Sequence, residues 1–452
     1  MPQGNRKNFR RTCRTFFDTP PAISYSITVL MPPDAEQRSD ELTVRLTTRK
    51  KIAFALIALV LGLIGAELIA RFVLGNYSAA SLAERRDTFE PYQNKSWTEE
   101  YFRDEAECGR QRNEPSDTTP FVRYLLFDVG YPECRTPTAN LIDGNKRKTW
   151  NPNLASASGT QKVYRIGIFG GSTVQGVGVP DDLTIPSQFS KLVNGSSTGA
   201  LYEVENYGVS SYTYTQSVMK LVLLLREGIR FDYVVMYNGA NDIDNAYDAG
   251  SAGAIHSEKT AINLLYGGLW GQAKEELKAQ ISLCALCRIV VTGSRNTPVL
   301  RDHITPYLVR LRRFVLFKEG GKKNSEGLDT FGREIADYYG KSHDLLDNLS
   351  RAYGFRYAEF WQPSLLYEDA PVGGEAIYWN IDNRLTDEKL KQLYRSTLDE
   401  VLAMKLDNFY DLSRSLVGRP KAYYIDAVHI SDDGNREIAE QIFERIGDKL
   451  PR

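Results

Sequence analysis

The chain reads as an α/β protein, a mainly parallel five-stranded sheet covered by helices, with one membrane-spanning helix ahead of it. Three observations predict this. From Tyr164 onward, short apolar runs alternate with stretches of helical periodicity, which favours a parallel sheet with helices on both faces. Several of those runs end in glycine or small polar residues, as strands do where they hand over to a ligand-binding edge. Upstream, Ile52 to Ala66 runs for 15 residues without a polar side chain, leaving no face for solvent.

Residues 1–51 mix Arg, Thr, Pro and Ser with little periodicity and read as a tail ending in Arg49-Lys50-Lys51. The apolar segment continues to Leu74, so residues 52–74 approach the roughly 20 that a helix needs to span hydrocarbon. No small-x-small cleavage site follows it cleanly, which favours an uncleaved anchor over a signal peptide. The basic cluster before the helix keeps the N-terminus cytoplasmic by the positive-inside rule. Everything after the helix is then extracytoplasmic, in the periplasm or at the cell surface.

Residues 75–160 are polar and rich in Arg, Glu, Asn, Pro and Thr, with short apolar pieces such as Phe121–Phe127, and read as a connector. Four of the five cysteines follow the apolar helix: Cys108, Cys134, Cys284 and Cys287. An even number outside the cytoplasm permits two bridges. The Cys284/Cys287 pair also has the spacing of half a zinc site, but no second pair with histidine support lies nearby.

Residues 161–452 carry the alternation. Strands are expected at Tyr164–Phe169, Leu201–Asn206, Asp232–Tyr237, Phe355–Glu359 and Ala422–Ile425. Helices are expected at Pro186–Val193, Thr215–Glu227, Gly332–Tyr353, Asp387–Leu412 and Asp433–Leu450. Residues 245–325 break the pattern with Gly, Ser and basic residues and read as an insertion forming a lid. A net charge of −1 offers no field for nucleic acid. G-G-S-T lacks the lysine and spacing of a phosphate-binding loop, so no cofactor and no metal is expected.

The chemistry is expected at four strand ends. Gly170-Gly171-Ser172 ends the first strand and presents a hydroxyl. A serine needs a base, and His429 is the natural one, since His256, His303 and His343 follow no recognisable strand. Asp426, three residues earlier, can reach back to the imidazole Nδ1. A tetrahedral intermediate needs hydrogen-bond donors, and the backbone N–H groups of Ser172 and Gly208 with the side-chain amide of Asn241 form a candidate oxyanion hole. Each residue alone has an ordinary reading as a cap, a turn or a core histidine. Their order along the chain, each at a strand end, is what carries the inference.

In that order G-G-S-T, N-Y-G, G-A-N-D and D-A-V-H resemble the four motif blocks of the SGNH (GDSL-like) hydrolases. The resemblance implies a flavodoxin-like α/β/α fold, Ser172 as nucleophile, His429 as base, Asp426 as its orienter, and Gly208 and Asn241 completing the oxyanion hole. Gly171 departs from the pattern, standing where the G-D-S form has aspartate. The anchor, connector and catalytic domain together look like bacterial membrane-anchored members that act on cell-surface polysaccharides. The expected function is an esterase removing an acyl group such as acetyl from a carbohydrate or another ester. Two further readings stay open: transfer of the acyl group to a polysaccharide, and a scaffold that binds without catalysis.

Overall fold

The computed structural model describes residues 47–111, 121–122, 124–127, 136–142, 146–154, 161–196, 199–256, 258, 327–369, 383–419 and 421–452. The chain divides into two units, residues 1–62 and 63–452. Of the first unit, the described part is the start of helix α1 (Thr48–Thr88). Its stretch Lys50–Leu68 is long and apolar enough to cross a membrane, and none of it is buried in the protein. Cys134, Cys284, Cys287 and most of the expected 245–325 insertion lie outside the described residues, and of Cys108 only the helical backbone is described.

The second unit is built on a seven-stranded sheet. Its central strands are β5 (Val163–Gly170), β6 (Leu201–Gly208), β7 (Tyr233–Asn238) and β8 (Arg356–Trp361), with β9 (Phe409–Asp411) at one edge. Two short strands, β3 (Leu141–Ile142) and β4 (Lys146–Arg147), join antiparallel at the other edge, giving the order β3-β4-β6-β5-β7-β8-β9. A separate two-stranded piece pairs β1 (Phe121–Val122) with β2 (Leu126–Phe127).

The five strands from β6 to β9 are parallel, with Gly170 opposite both Gly208 and Tyr237. Burial on both faces explains the apolar content of these strands, unbroken over Tyr233–Tyr237 and interrupted by Arg165 in β5 and by Glu203 and Glu205 in β6: Ile166, Ile168, Phe169, Val204, Val234 and Val235 are all fully buried. Each such side chain contributes about 1.5–3 kcal/mol relative to exposure.

The helices cover the sheet in two groups. Helix α4 (Ile185–Ser196) packs with α9 (Asp432–Ile446), while α5 (Tyr214–Arg226) packs with α7 (Leu328–Tyr353), which packs with α8 (Glu388–Ala403). The short α3 (Ser172–Gln175) and α6 (Ala240–Ala249) follow β5 and β7 directly. The α/β/α class is as expected from the sequence.

The strand count is not. Ala422–Ile425 forms no sheet strand; Tyr424 instead makes an isolated antiparallel bridge to Ile430, closing a tight hairpin. The fifth parallel strand is β9, inside the stretch expected to extend a helix to Leu412. Lys405 and Asn408 adopt left-handed φ angles of 53° and 57°, which end α8 and turn the chain back alongside β8. Residues 75–160 also do more than connect. Phe89, Tyr92, Tyr101 and Phe102 lie in the same hydrophobic core as the sheet.

Gly170 marks the tightest point of the sheet. A Cβ there would overlap the carbonyl oxygen of Tyr237 and press on Val174. Gly170→Ala is expected to cost about 1–3 kcal/mol by overpacking, read as a lowered urea midpoint with an unchanged slope.

Candidate active site

Strand β5 ends at Gly170, and the single turn α3 begins two residues later. Its N-cap is Gly171, which has no side chain to cap with, so Ser172 at the first helical position keeps its hydroxyl free of capping duty. Gly176 closes the turn in the left-handed region, with φ 83°. The Ser172 hydroxyl lies 2.7 Å from His429 Nε2, across 257 positions of sequence.

His429 reaches it from the hairpin between β9 and α9. The Ser431 N–H donates to Tyr423 O at 2.8 Å and the Ile425 N–H to His429 O at 2.9 Å. Within that loop Asp426 has two tasks. Its Oδ1 accepts the N–H groups of Val428 and His429 at 2.9 and 2.8 Å, which builds the turn, and its Oδ2 lies 2.6 Å from His429 Nδ1.

Burial pushes the Asp426 carboxyl up, but the imidazole beside it and the two backbone donors pull harder and hold it well below the usual carboxylate range. An ionised carboxylate only accepts, so Nδ1 carries the imidazole proton and Nε2 presents its lone pair to the serine O–H. The site stays open to substrate: the His429 and Asp426 side chains are 17% and 41% exposed.

Asn241 comes from the start of α6. Its Nδ2 donates to Tyr212 O at 3.0 Å, which leaves its second amide hydrogen available. A Cβ on residue 171 would overlap Nδ2 of Asn241. Glycine there lets the amide come up against the turn that bears Ser172.

Gly208 has a different role from the one expected. Its N–H donates to Asn206 Oδ1 at 2.9 Å, and a Cβ would overlap the backbone N of Gln175. The glycine is required by the close passage of α3, and its N–H is already engaged. Ser211, three residues on, is the position the sequence reading missed. It adopts φ 65°, and its N–H has no partner among the described residues. It adjoins the site, since Asn245 Nδ2 donates to Ser211 O at 3.1 Å and Asn241 holds the next carbonyl. Its sequence signal is faint: a serine pair just past a strand.

Of the other histidines, His343 is buried on α7 with Nδ1 2.8 Å from Glu359 Oε1, His256 lies in a turn, and His303 falls outside the described residues.

A family model described as GDSL-like Lipase/Acylhydrolase matches residues 130–442. The chain belongs to that family. It is thus an ester-bond hydrolase. No curated protein matches the chain. Among solved structures it is similar to a lipolytic protein of the G-D-S-L family from Veillonella parvula, at 11% identity and TM-score 0.30, covering 62% of this chain and 96% of that one. It is also similar to a catalytic mutant of Axe2, an acetylxylan esterase from Geobacillus stearothermophilus, at 13% identity and TM-score 0.32, covering 64% and 95%. A family 3 carbohydrate esterase from Clostridium thermocellum is similar at 12% identity and TM-score 0.31, covering 64% and 98%.

Two further residues of this GDSL-like hydrolase support the site. Arg147 on β4 is buried, and its guanidinium holds the loop after Ser172. Nε pairs with Asp181 Oδ1 at 2.9 Å, while the terminal nitrogens donate to the carbonyls of Gln175, Gly176 and Val179 at 2.8, 2.6 and 2.7 Å. Arg147→Met would leave Asp181 buried without its cation and remove a donor from three carbonyls, of which Gly176 O keeps the Val179 N–H at 3.3 Å. A loss of about 3–5 kcal/mol in urea unfolding is expected.

Asp242 follows Asn241 and ties α6 to α5. Its Oδ1 accepts the Tyr214 N–H at 2.9 Å and its Oδ2 the Gly239 N–H at 3.3 Å. Burial pushes the Asp242 carboxyl up to about 7, against these backbone donors. The folded state therefore holds this proton more tightly than the unfolded chain. The group's contribution is greatest below the ordinary value of 3.8 and declines as pH rises to about 7. Thermal midpoints measured from pH 4 to 7 are expected to lose that component of their slope in Asp242→Asn.

Proposed function

We propose that the chain is a membrane-tethered serine esterase that removes a small acyl group, such as acetyl, from a carbohydrate by way of an acyl-Ser172 intermediate. The continuous relay from Ser172 Oγ to His429 Nε2 at 2.7 Å and from His429 Nδ1 to Asp426 Oδ2 at 2.6 Å is the observation that carries this reading. Ser172 Oγ attacks the ester carbonyl carbon while its proton passes to His429 Nε2. The negative charge that develops on the carbonyl oxygen is met by the backbone N–H of Ser172 and the amide of Asn241. The Ser211 N–H takes the place expected of Gly208. One such donor is worth about 3–4 kcal/mol in the barrier.

Collapse of the intermediate breaks the bond to the sugar oxygen, and the imidazolium returns the proton to that leaving alkoxide. Water then attacks the acyl-serine, with His429 again taking the proton; the bond from the acyl carbon to Ser172 Oγ breaks, the imidazolium returns the proton to Oγ, and the carboxylic acid is freed. Asp426 keeps Nδ1 protonated throughout and offsets the positive charge that His429 carries in between.

The topology belongs to the same reading. Residues 1–51 form a cytoplasmic tail, the apolar part of α1 spans the membrane, and the remaining chain lies on the extracytoplasmic side. Arg49-Lys50-Lys51, next to the apolar stretch, support this orientation. A scaffold that binds without catalysis has no use for a serine hydroxyl hydrogen-bonded to an imidazole whose other nitrogen faces a carboxylate.

Hydrolysis of an activated acetyl ester tests the chemistry. Ser172→Ala and His429→Ala are expected to lose about 10⁴-fold or more in kcat, and Asn241→Ala about 10²–10³-fold, with melting temperatures close to the parent. Equal rates in the parent and the Ser172 and His429 variants would overturn the reading. Release of acetate from an acetylated oligosaccharide, absent in Ser172→Ala, tests the substrate class.

A further inference from the structure

The loop that carries Ser172 and the hairpin that carries His429 are both gripped by a segment lying ahead of the family match at residues 130–442. That segment, residues 89–104, comprises a single turn at Glu90–Tyr92 and the first half of α2 (Thr98–Gln111).

One arm holds the serine loop. Gly178 lies six residues after Ser172, with φ 93°. Tyr92 donates its hydroxyl hydrogen to Gly178 O at 3.3 Å, and the Gly178 N–H donates to Tyr101 Oη at 3.0 Å. Both backbone groups of this residue are thus satisfied by phenols of the segment. A Cβ on Gly178 would lie 3.0 Å from Tyr92 Oη and overlap the side chain of Ile425, four residues before His429. The two loops meet here, and Tyr92 closes over the contact.

The other arm holds the hairpin. Lys95 Nζ lies 3.0 Å from Asp432 Oδ2 and also bonds Asp433, at the start of α9 just past His429. Trp97 Nε1 donates to the same Asp432 oxygen at 3.3 Å, and the Ala422 N–H donates to Glu90 Oε1 at 3.5 Å. Edge-to-face contacts join the two arms: Tyr92 with Trp97 at 5.9 Å and with Phe102 at 4.9 Å, and Trp97 with Tyr101 at 5.8 Å.

We propose that residues 89–104 are a clasp that sets the spacing between Ser172 and His429, with Tyr92, Tyr101 and Lys95 as positioning residues. The inference rests on the serine esterase reading above. Unsatisfied buried backbone groups are costly, so the loop at Gly178 has a strong reason to stay on the clasp. A hydrogen bond of 2.7 Å between side chains on separate loops has little tolerance for their drift. Misplacement by 1 Å can cost about 10²-fold in rate.

The test uses the full chain in detergent micelles and the activated acetyl ester. Tyr92→Phe/Tyr101→Phe keeps both rings and removes both hydroxyls. At a temperature well below its melting midpoint, kcat is expected to fall about 10–100-fold while KM stays within two-fold. Lys95→Met releases the other arm and leaves Asp433 with Lys421 and Arg436, so this variant keeps its fold. It is expected to show the same split between kcat and KM.

Leu346→Ala, a truncation of a fully buried side chain on α7, serves as the stability control. It is expected to lower the melting midpoint without lowering kcat. Parent-like kcat in both clasp variants overturns the proposal, as does a loss in Leu346→Ala equal to theirs. Ser172→Ala separates the two readings. If it is inactive while the clasp variants are unimpaired, the clasp alone fails; if it retains parent activity, the catalytic reading fails first.

Discussion

The hydrogen bond from the Ser172 hydroxyl to His429 Nε2 depends on two loops separated by 257 positions, and neither loop holds it alone. The serine loop leaves a parallel sheet that is rigid up to Gly170. From Gly176 to Val179 it runs as irregular, mostly buried backbone, which is stable only if its polar groups find partners. Those partners come from elsewhere in the sequence: Arg147 takes three carbonyls, and Tyr92 and Tyr101 take both polar groups of Gly178. The spacing between Ser172 and His429 is therefore tied to hydrogen-bond satisfaction in the loop that follows the serine.

Asp426 shows the same economy on the histidine side. One carboxylate oxygen accepts two backbone N–H groups and creates the turn, and the other faces the imidazole. The structural and electrostatic roles need the same ionised state, since, against burial, the imidazole first and the two amides after it draw the carboxyl low, and an ionised carboxylate accepts from both. The turn-forming aspartate and the aspartate beside the imidazole are here one residue, so the ordinary reading of D-A-V-H and the proposed catalytic one do not compete.

What the sequence revealed follows from which physical signals are local. Four parallel strands were legible because burial in the sheet demands short apolar stretches, as at Ile166–Phe169 and Tyr233–Tyr237. Strand β9 was hidden because three residues with only partial burial carry no such run, and the turn residues Asp407-Asn408 were its sole marker. Ala422–Ile425 was apolar enough for a strand, but it pairs within its own hairpin. The convergence of Ser172, His429, Asp426 and Asn241 on one place was legible from residue type and order. The supporting shell was not: Gly208 was assigned to the oxyanion because a glycine after a strand admits substrate as readily as it admits a passing helix. Ser211 stood out only through its φ, and Arg147 was one basic residue in a polar stretch.

That asymmetry bears on how the region before the family domain should be viewed. Composition made residues 75–160 look like a spacer, because charged and aromatic residues without period resemble a linker. The aromatics are instead spaced to cover one place: Tyr92, Trp97, Tyr101 and Phe102 converge on the junction of the two loops. Lys95 adds a cation to the α9 aspartates Asp432 and Asp433. Helix α1 ends at Thr88 and the first clasp residue is Phe89, so no flexible spacer separates the helix from the groups that grip the active-site loops. A cut placed at the family boundary near residue 130 would remove the phenols from Gly178 and the ammonium from Asp433 while leaving every motif residue intact.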